Sequence, residues 1–256
     1  MFNNAIVRPP APGFADGLTT AGLGAPDIEK ALEQHARYSE ALERCGLTLT
    51  RLEPDPRHPD ATFVEDTAVL VPGCAIFTRP GAPSREGEVE GIRPAVERFF
   101  TRSRAITAPG AVDGGDVCEA GRHVLIGISA RTNAEGARQL AGFLAEEGYT
   151  SATVDIRGVR GILHLKSGLS WLGDNRLVVI DDLADHPELR RFERVRPVPA
   201  ESYAANCLRV NDQVLVASGY PRLRDALQGL GCSVIELDMS EYRKMDGGLS
   251  CLSLRF

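Results

Sequence analysis

No run in the 256 residues approaches the roughly eighteen uninterrupted apolar side chains that a membrane-spanning helix needs. The opening MFNNAIVRPPAPGF lacks the basic stretch and apolar core of a secretory leader. The expectation is a cytoplasmic protein with no membrane partner. Cysteine never occurs as a CxxC pair: Cys45, Cys74, Cys118, Cys207, Cys232 and Cys251 are scattered, and no His-x-x-x-His spacing accompanies them. A disulfide framework and a structural zinc site are therefore disfavoured, and most of these thiols are expected to be small buried apolar side chains. Nor is there a stripe of positive charge. The 35 acidic and 29 basic residues interleave to a net charge of -6, which argues against nucleic acid as a partner.

What is present is enough apolar material, 43% of the chain, for a sizeable core, in a length that calls for no more than one domain over 1–256. Helices show in caps and spacing. Thr132-Asn-Ala-Glu135 reads as a capping box ahead of an apolar face of Ala134, Ala137, Leu140, Ala141 and Leu144, with Gly148 as the stop. Asp27 to Cys45 reads likewise, with Ile28, Leu32, Tyr38 and Leu42 facing inward and Gly46 ending it. Shorter helices are expected after Glu88 (Val89, Ile92, Val96, Phe99), Pro187 and Pro221.

Between the helices, strands come in pairs joined by turn residues: Thr67–Val71 and Cys74–Thr78, Val117–Ala120 and His123–Ile128, Cys207–Val210 and Val214–Ala217. Each pair precedes a helix and a further strand (Arg104–Thr107, Ala152–Ile156, Ser233–Leu237), so a ββαβ unit recurs. Each unit opens on a polar cluster: Glu65-Asp66, Asp113-Gly-Gly-Asp116, His164-Leu-Lys166, Asn206 and Gly247-Gly-Leu-Ser-Cys251, spaced about 42–50 residues apart. Strand Ala5–Arg8 and helix 27–45 would complete the unit that the C-terminal strand begins. The fold class expected is therefore α/β, five ββαβ units in a pseudosymmetric propeller that brings Asp66, Asp113, His164, Asn206 and Cys251 to one axis. The competing reading is an open α/β or α+β sheet in which these residues are unrelated.

Ring closure gives the polar residues a chemistry. Cys251, after the flexible Gly247-Gly248, is a candidate nucleophile, although its local context alone reads as a buried thiol. His164 is the one histidine that heads a unit, and its imidazole suits a proton donor that later activates water. Asp60, Glu65, Asp66, Asp113 and Asp116 would crowd one cleft, and a guanidinium, with its planar fork of donors, relieves such crowding. Arg85 and Arg131 follow the second strands of adjacent units and could clamp a carboxylate. Carboxylates near Cys251 should raise its thiol pKa and a bound guanidinium should lower it.

The motifs Phe63-Val-Glu-Asp66, Arg79-Pro-Gly-Ala-Pro-Ser-Arg85, Asp113-Gly-Gly-Asp116, Ser129-Ala-Arg-Thr-Asn133, His164-Leu-Lys-Ser167, Ala204-Ala-Asn-Cys207 and Tyr242-Arg-Lys-Met-Asp-Gly-Gly-Leu-Ser-Cys251 together resemble the dimethylarginine dimethylaminohydrolase family over essentially the whole chain. The resemblance implies the five-fold α/β propeller of the guanidine-modifying enzymes (the pentein fold). It also implies hydrolysis of Nω-methylated L-arginine to L-citrulline and dimethylamine or methylamine through a covalent cysteine intermediate, with no metal and no other cofactor. By the same resemblance, Cys251 attacks the guanidinium carbon, His164 is acid and then base, and Asp113 completes the catalytic group. Asp66 holds the guanidinium, Glu65 supports Asp66 or the cysteine's surroundings, and Phe63 and the Met245 carbonyl border that end. Arg85 and Arg131 bind the α-carboxylate, and Asp60 and the Leu18 carbonyl the α-amino group. Some bacterial relatives carry glutamate at the position of Asp113, which leaves its contact with His164 open. A homodimer is one option for the oligomeric state. Residues 13–25, rich in glycine around Leu18, suit a mobile lid.

The competing activities are an arginine deiminase, which resembles this core with an added helical domain for which the chain has no room, and a non-catalytic propeller that binds a macromolecule.

Overall fold

A computed structural model describes residues Met1–Phe256. Its strands form five separate three-stranded sheets. Four are continuous in sequence: Ala68–Val71, Cys74–Phe77 and Ser103–Ala105; Val117–Ala120, His123–Ile128 and Thr150–Asp155; Leu169–Gly173, Arg176–Val179 and Glu193–Val195; Leu208–Val210, Gln213–Ala217 and Ser233–Leu237. In every sheet the first two strands are antiparallel and the third is parallel to the second. The antiparallel step needs only a tight turn, supplied by left-handed residues such as Gly73, Gly121, the pair Asp174-Asn175, and Asn211. The parallel step needs a crossover, which the helix supplies.

The fifth sheet joins the two ends of the chain. Ser253–Arg255 runs antiparallel to Asn4–Val7, with Ile6 opposite Leu254, and Asn4–Val7 runs parallel to Thr48–Arg51 after the helix Ile28–Arg44. The repeat read from the sequence is thus a closed ring of five ββαβ units, the pentein fold. Apolar burial is divided among the joints of the ring. Leu140 and Leu144 of helix Ala134–Glu146 pack with Val124 and Ile126 of their own unit and with Cys74 and Ile76 of the unit before it. Helix Glu88–Val96 packs Ile92 and Val96 with Ile6 and Leu254 in the same way. Each fully buried leucine contributes about 1.5–3 kcal/mol. With apolar residues spent between the units, the axis is left to polar ones.

Some expectations are corrected. Asn133, not Thr132, caps the helix that follows, accepting from Gly136 N at 2.8 Å, because Thr132 is fully buried and its Oγ1 accepts from Asp113 N. Leu32 is 36% exposed: the inward stripe of helix Ile28–Arg44 is Ala31, His35, Tyr38 and Leu42. Ala134 is exposed, and Phe99 lies beyond its helix, 43% exposed. In the third unit Pro187 interrupts the helix, leaving the two short turns Asp181–Ala184 and Pro187–Leu189. Strand limits shift by one to two residues, as where Thr67 and Cys207 precede their strands and Arg8 follows its own. No helix is long and apolar enough to cross a membrane.

Candidate active site

Just before the first strand of each sheet the backbone makes a helical turn: Val64–Thr67, Gly114–Asp116, Leu165–Gly168, Pro199–Ala205 and Ser250–Leu252. These turns meet at the hub and are tied in order around it. Asp66 Oδ1 accepts from Gly115 N at 2.7 Å, and Asp116 Oδ1 from Leu165 N at 2.9 Å. Lys166 O accepts from Asn206 Nδ2 at 2.8 Å, and Asn206 Oδ1 from Ser250 N at 3.0 Å. Ser250 Oγ then donates to Glu65 Oε2 at 2.8 Å, which closes the circle.

The glycines of the hub make this approach possible. A Cβ on Gly115 would lie 2.6 Å from His164 Nδ1 and 2.9 Å from Asp66 Oδ1, and one on Gly114 would strike the Glu65 carbonyl. Gly248 is held against Asn206 and Gly247 against the Phe63 ring. Of the two glycines expected to admit a ligand, Gly247 lines the cavity, while Gly248 serves the protein's own packing against Asn206.

Cys251, half-buried, and His164 line one cavity together with Leu18, Asp60, Phe63, Asp66, Arg85, Arg131 and Met245. Asp113 lies behind it, fully buried, with Oδ2 2.9 Å from His164 Nε2 and Oδ1 accepting from Gly81 N at 2.8 Å. The shorter acid therefore does reach the imidazole directly. Glu65 is also outside the cavity. It lies in a buried ion cluster, 2.7 Å from Lys166 Nζ and 3.0 Å from the Arg255 guanidinium, which also donates to Ser250 O.

Charge at the hub sets the protonation states. Burial alone would discharge His164, but Asp66, Asp113 and Asp116 outweigh it and raise the imidazole pKa to about 9. Burial likewise opposes the Asp66 carboxylate, and the charges of His164 and Arg85 with the Gly115 amide overcome it, holding Asp66 below the usual carboxylate range. Burial, then Glu65 and Asp66, push the Cys251 thiol up to about 12. At neutral pH the resting pair is a neutral thiol and an imidazolium. Asp66, Asp113 and His164 offer atoms within 4.8 Å of one another, a spacing that could hold a cation. The raised imidazole pKa makes the proton a strong competitor for that place.

The two arginines of the cavity wall differ. Arg85 is 5% exposed, and its guanidinium is already engaged by Asp66 Oδ2 at 2.6 Å, Glu88 Oε2 at 2.7 Å and the Phe63 carbonyl. Arg131 is half-buried and makes no ion pair. Asp60 accepts from Leu18 N through both oxygens at 3.1 Å. Two further lining residues, Leu163 and Asp246, escaped the sequence reading, as did Glu88, Lys166 and Arg255 behind the wall. Lys166 lay inside one of the polar clusters that mark the units; the others carried no such signal.

The architecture is that of a pentein, and the chemistry at its hub is that of the guanidine-modifying enzymes. No family model matches the chain. It is 49% identical, over the whole of both chains, to the N(G),N(G)-dimethylarginine dimethylaminohydrolase of Pseudomonas aeruginosa. A solved structure of that organism's enzyme, a cysteine-to-serine mutant complexed with citrulline, superposes with a TM-score of 0.97 at 48% identity, covering 100% of both chains. This chain belongs to the dimethylarginine dimethylaminohydrolase family. The N-terminal domain of a cyanobacterial arginine dihydrolase has the same fold, with a TM-score of 0.90 at 18% identity over 100% of this chain and 97% of that one.

Proposed function

We propose that this chain is a dimethylargininase, hydrolysing Nω-methylated L-arginine (asymmetric dimethylarginine and monomethylarginine) to L-citrulline and dimethylamine or methylamine. The observation that carries this reading is the shared cavity, which Cys251 and His164, the latter held by Asp113, line together with Asp60, Asp66 and Arg131. In this reading Asp66 receives the guanidinium, with Phe63 and the Met245 carbonyl at its border. Arg131 takes the α-carboxylate, and Asp60 with the Leu18 carbonyl takes the α-amino group. Arg85 contributes mainly by holding Asp66, and Glu65 by supporting the Cys251 turn.

A bound guanidinium brings positive charge beside a thiol that burial, Glu65 and Asp66 otherwise keep protonated, and so favours the thiolate, the thiol proton passing to solvent. The thiolate attacks the guanidinium carbon to give a tetrahedral adduct. His164, held by Asp113 through Nε2, gives its proton to the methylamine nitrogen, and the C–N bond breaks to leave an S-alkylthiouronium. Water, deprotonated by the now neutral imidazole, adds to the same carbon. The C–S bond then breaks as the hydroxyl of the adduct becomes the carbonyl of citrulline, and its proton goes to the departing sulfur, restoring the neutral thiol beside the imidazolium. Asp113 keeps the ring oriented through both proton transfers. The reading places the reaction in the cytoplasm, on a free amino acid.

The deciding experiment offers asymmetric dimethylarginine, monomethylarginine and arginine separately to wild type and Cys251→Ser and measures citrulline. Wild type is expected to act on the methylated substrates only and Cys251→Ser on none. Citrulline from arginine alone would overturn the substrate, and activity surviving in Cys251→Ser would overturn the mechanism.

A further inference from the structure

The segment Gly17–Ala21 crosses the mouth of the cavity and is fastened at two separate points. Leu18 N bonds both oxygens of Asp60. Thr20 donates to Asp246 Oδ2 from its backbone N at 2.5 Å and from its Oγ1 at 2.9 Å, and Thr19 Oγ1 donates to the Lys244 carbonyl at 2.7 Å. Asp246 lines the cavity and has a left-handed backbone, φ 56°, one of the few such conformations that an aspartate tolerates. The turn that gives it this conformation is closed by Gly247 N on the Tyr242 carbonyl at 2.9 Å, and Tyr203 Oη holds Gly247 O at 2.9 Å. Asp246 therefore stands on rigid backbone while its carboxylate reaches to an exposed strap. Free space in the cavity is about 20 Å³, room for about one water.

We infer that Asp246 is a positioning residue: it holds Gly17–Ala21 at the amino-acid end of the cavity and so sets the selection for a substrate with a free α-amino group. The inference rests on the proposed reaction, in which Asp60 and the Leu18 carbonyl receive that ammonium. Leu18 N draws on both oxygens of Asp60, and the orientation of its peptide depends on where Thr20 is tied. Release of Thr20 frees the Leu18 peptide to turn, weakening recognition of the ammonium while Cys251, His164 and Asp113 keep their own supports. Asp246 also sits between Met245 and Gly247, so the tether joins the strap to two further lining residues through the backbone.

The test compares wild type, Asp246→Ala, Asp246→Asn and Thr20→Val on monomethylarginine and on its analogue lacking the α-amino group. Hydrogen exchange at the Leu18 and Thr20 amides is measured without substrate. Asp246→Ala is expected to raise KM for monomethylarginine about tenfold with kcat changed less than about threefold, and to leave kcat/KM for the analogue within about twofold of wild type. Thr20→Val should follow in the same direction, and Asp246→Asn, which keeps an acceptor oxygen, should recover part of the loss. Both amides should exchange faster in Asp246→Ala. Equal losses on the two substrates, or unchanged amide exchange, would overturn the inference. Should wild type yield no citrulline from any methylated arginine, the proposed reaction fails, while amide exchange still decides whether Asp246 holds the strap.

Discussion

Glu65 and Ser250, 185 positions apart, are joined by a 2.8 Å hydrogen bond from the serine hydroxyl to the carboxylate. Asp66 follows the first residue and Cys251 the second, so one bond fixes the spacing between the carboxylate proposed to hold the guanidinium and the thiol proposed to attack it. The bond also makes Glu65 the point where the hub circle closes.

Replacing Glu65 by Gln removes the anion that most strongly opposes Cys251 ionisation after burial, and leaves Lys166 and Arg255 without their counter-charge. The thiol pKa should fall, read as a shift to lower pH in the alkylation-rate profile of the ligand-free protein. Unfolding in urea should show a loss of about 3–5 kcal/mol, the usual result of breaking a buried ion pair on one side.

His164 has its folded-state pKa raised from 6.5 to about 9. Its contribution to stability is therefore fully present below pH ~6.5 and is lost as pH rises through about 9, at most about 3 kcal/mol. Wild type should lose denaturant resistance across that window, and His164→Asn should show a flatter profile there. A wild-type curve that is level between these limits would show that the imidazole is not held charged.

Two glycine-to-alanine changes should have opposite outcomes. Gly115→Ala puts a methyl group 2.6 Å from His164 Nδ1 and should lower kcat by about a hundredfold or more through displacement of the imidazole. Gly142→Ala meets nothing within 4 Å on helix Ala134–Glu146 and should raise stability by about 0.5–1 kcal/mol.

Arg85 and Arg131 separate in the same manner. Arg85→Met strands Asp66 and Glu88 in the interior and should cost about 3–5 kcal/mol of stability, with Lys a poor replacement because its single ammonium cannot reproduce the fork. Arg131→Ala breaks no ion pair, so its unfolding free energy should stay within about 0.5 kcal/mol while KM for the amino-acid substrate rises. Equal destabilisation by the two would contradict the division of labour between them.

Much of this architecture was legible in the sequence because one polar cluster recurs ahead of one kind of hairpin. That periodicity was enough to bring Asp66, Asp113, His164, Asn206 and Cys251 together without local motifs. What remained hidden depends on contacts that no spacing encodes. Thr132 and Asn133 are both good helix caps, and only the occupation of Thr132 by the Asp113 amide decides between them. Leu32 and His35 compete for the inward stripe of one helix, and packing chose the histidine. Glu88 opens a helix, where an acid is ordinary, so its pairing with Arg85 left no trace. Asp246 carried no signal of its own, because its partner lies 226 positions away in a glycine-rich connection.

The sheet shared by the two ends of the chain means that the ring has no structural beginning. Asn4 N donates to Phe256 O at 2.8 Å, so a short linker from Phe256 to Met1 spans a gap that is already bridged. Cutting instead at the hairpin tip Gly121-Arg122, where nothing approaches Gly121 within 4 Å, would yield a circular permutant with every hub bond intact. In that permutant Ser250 and Cys251 would lie mid-chain, and the order of synthesis of the five units could be varied while their order in space stayed the same.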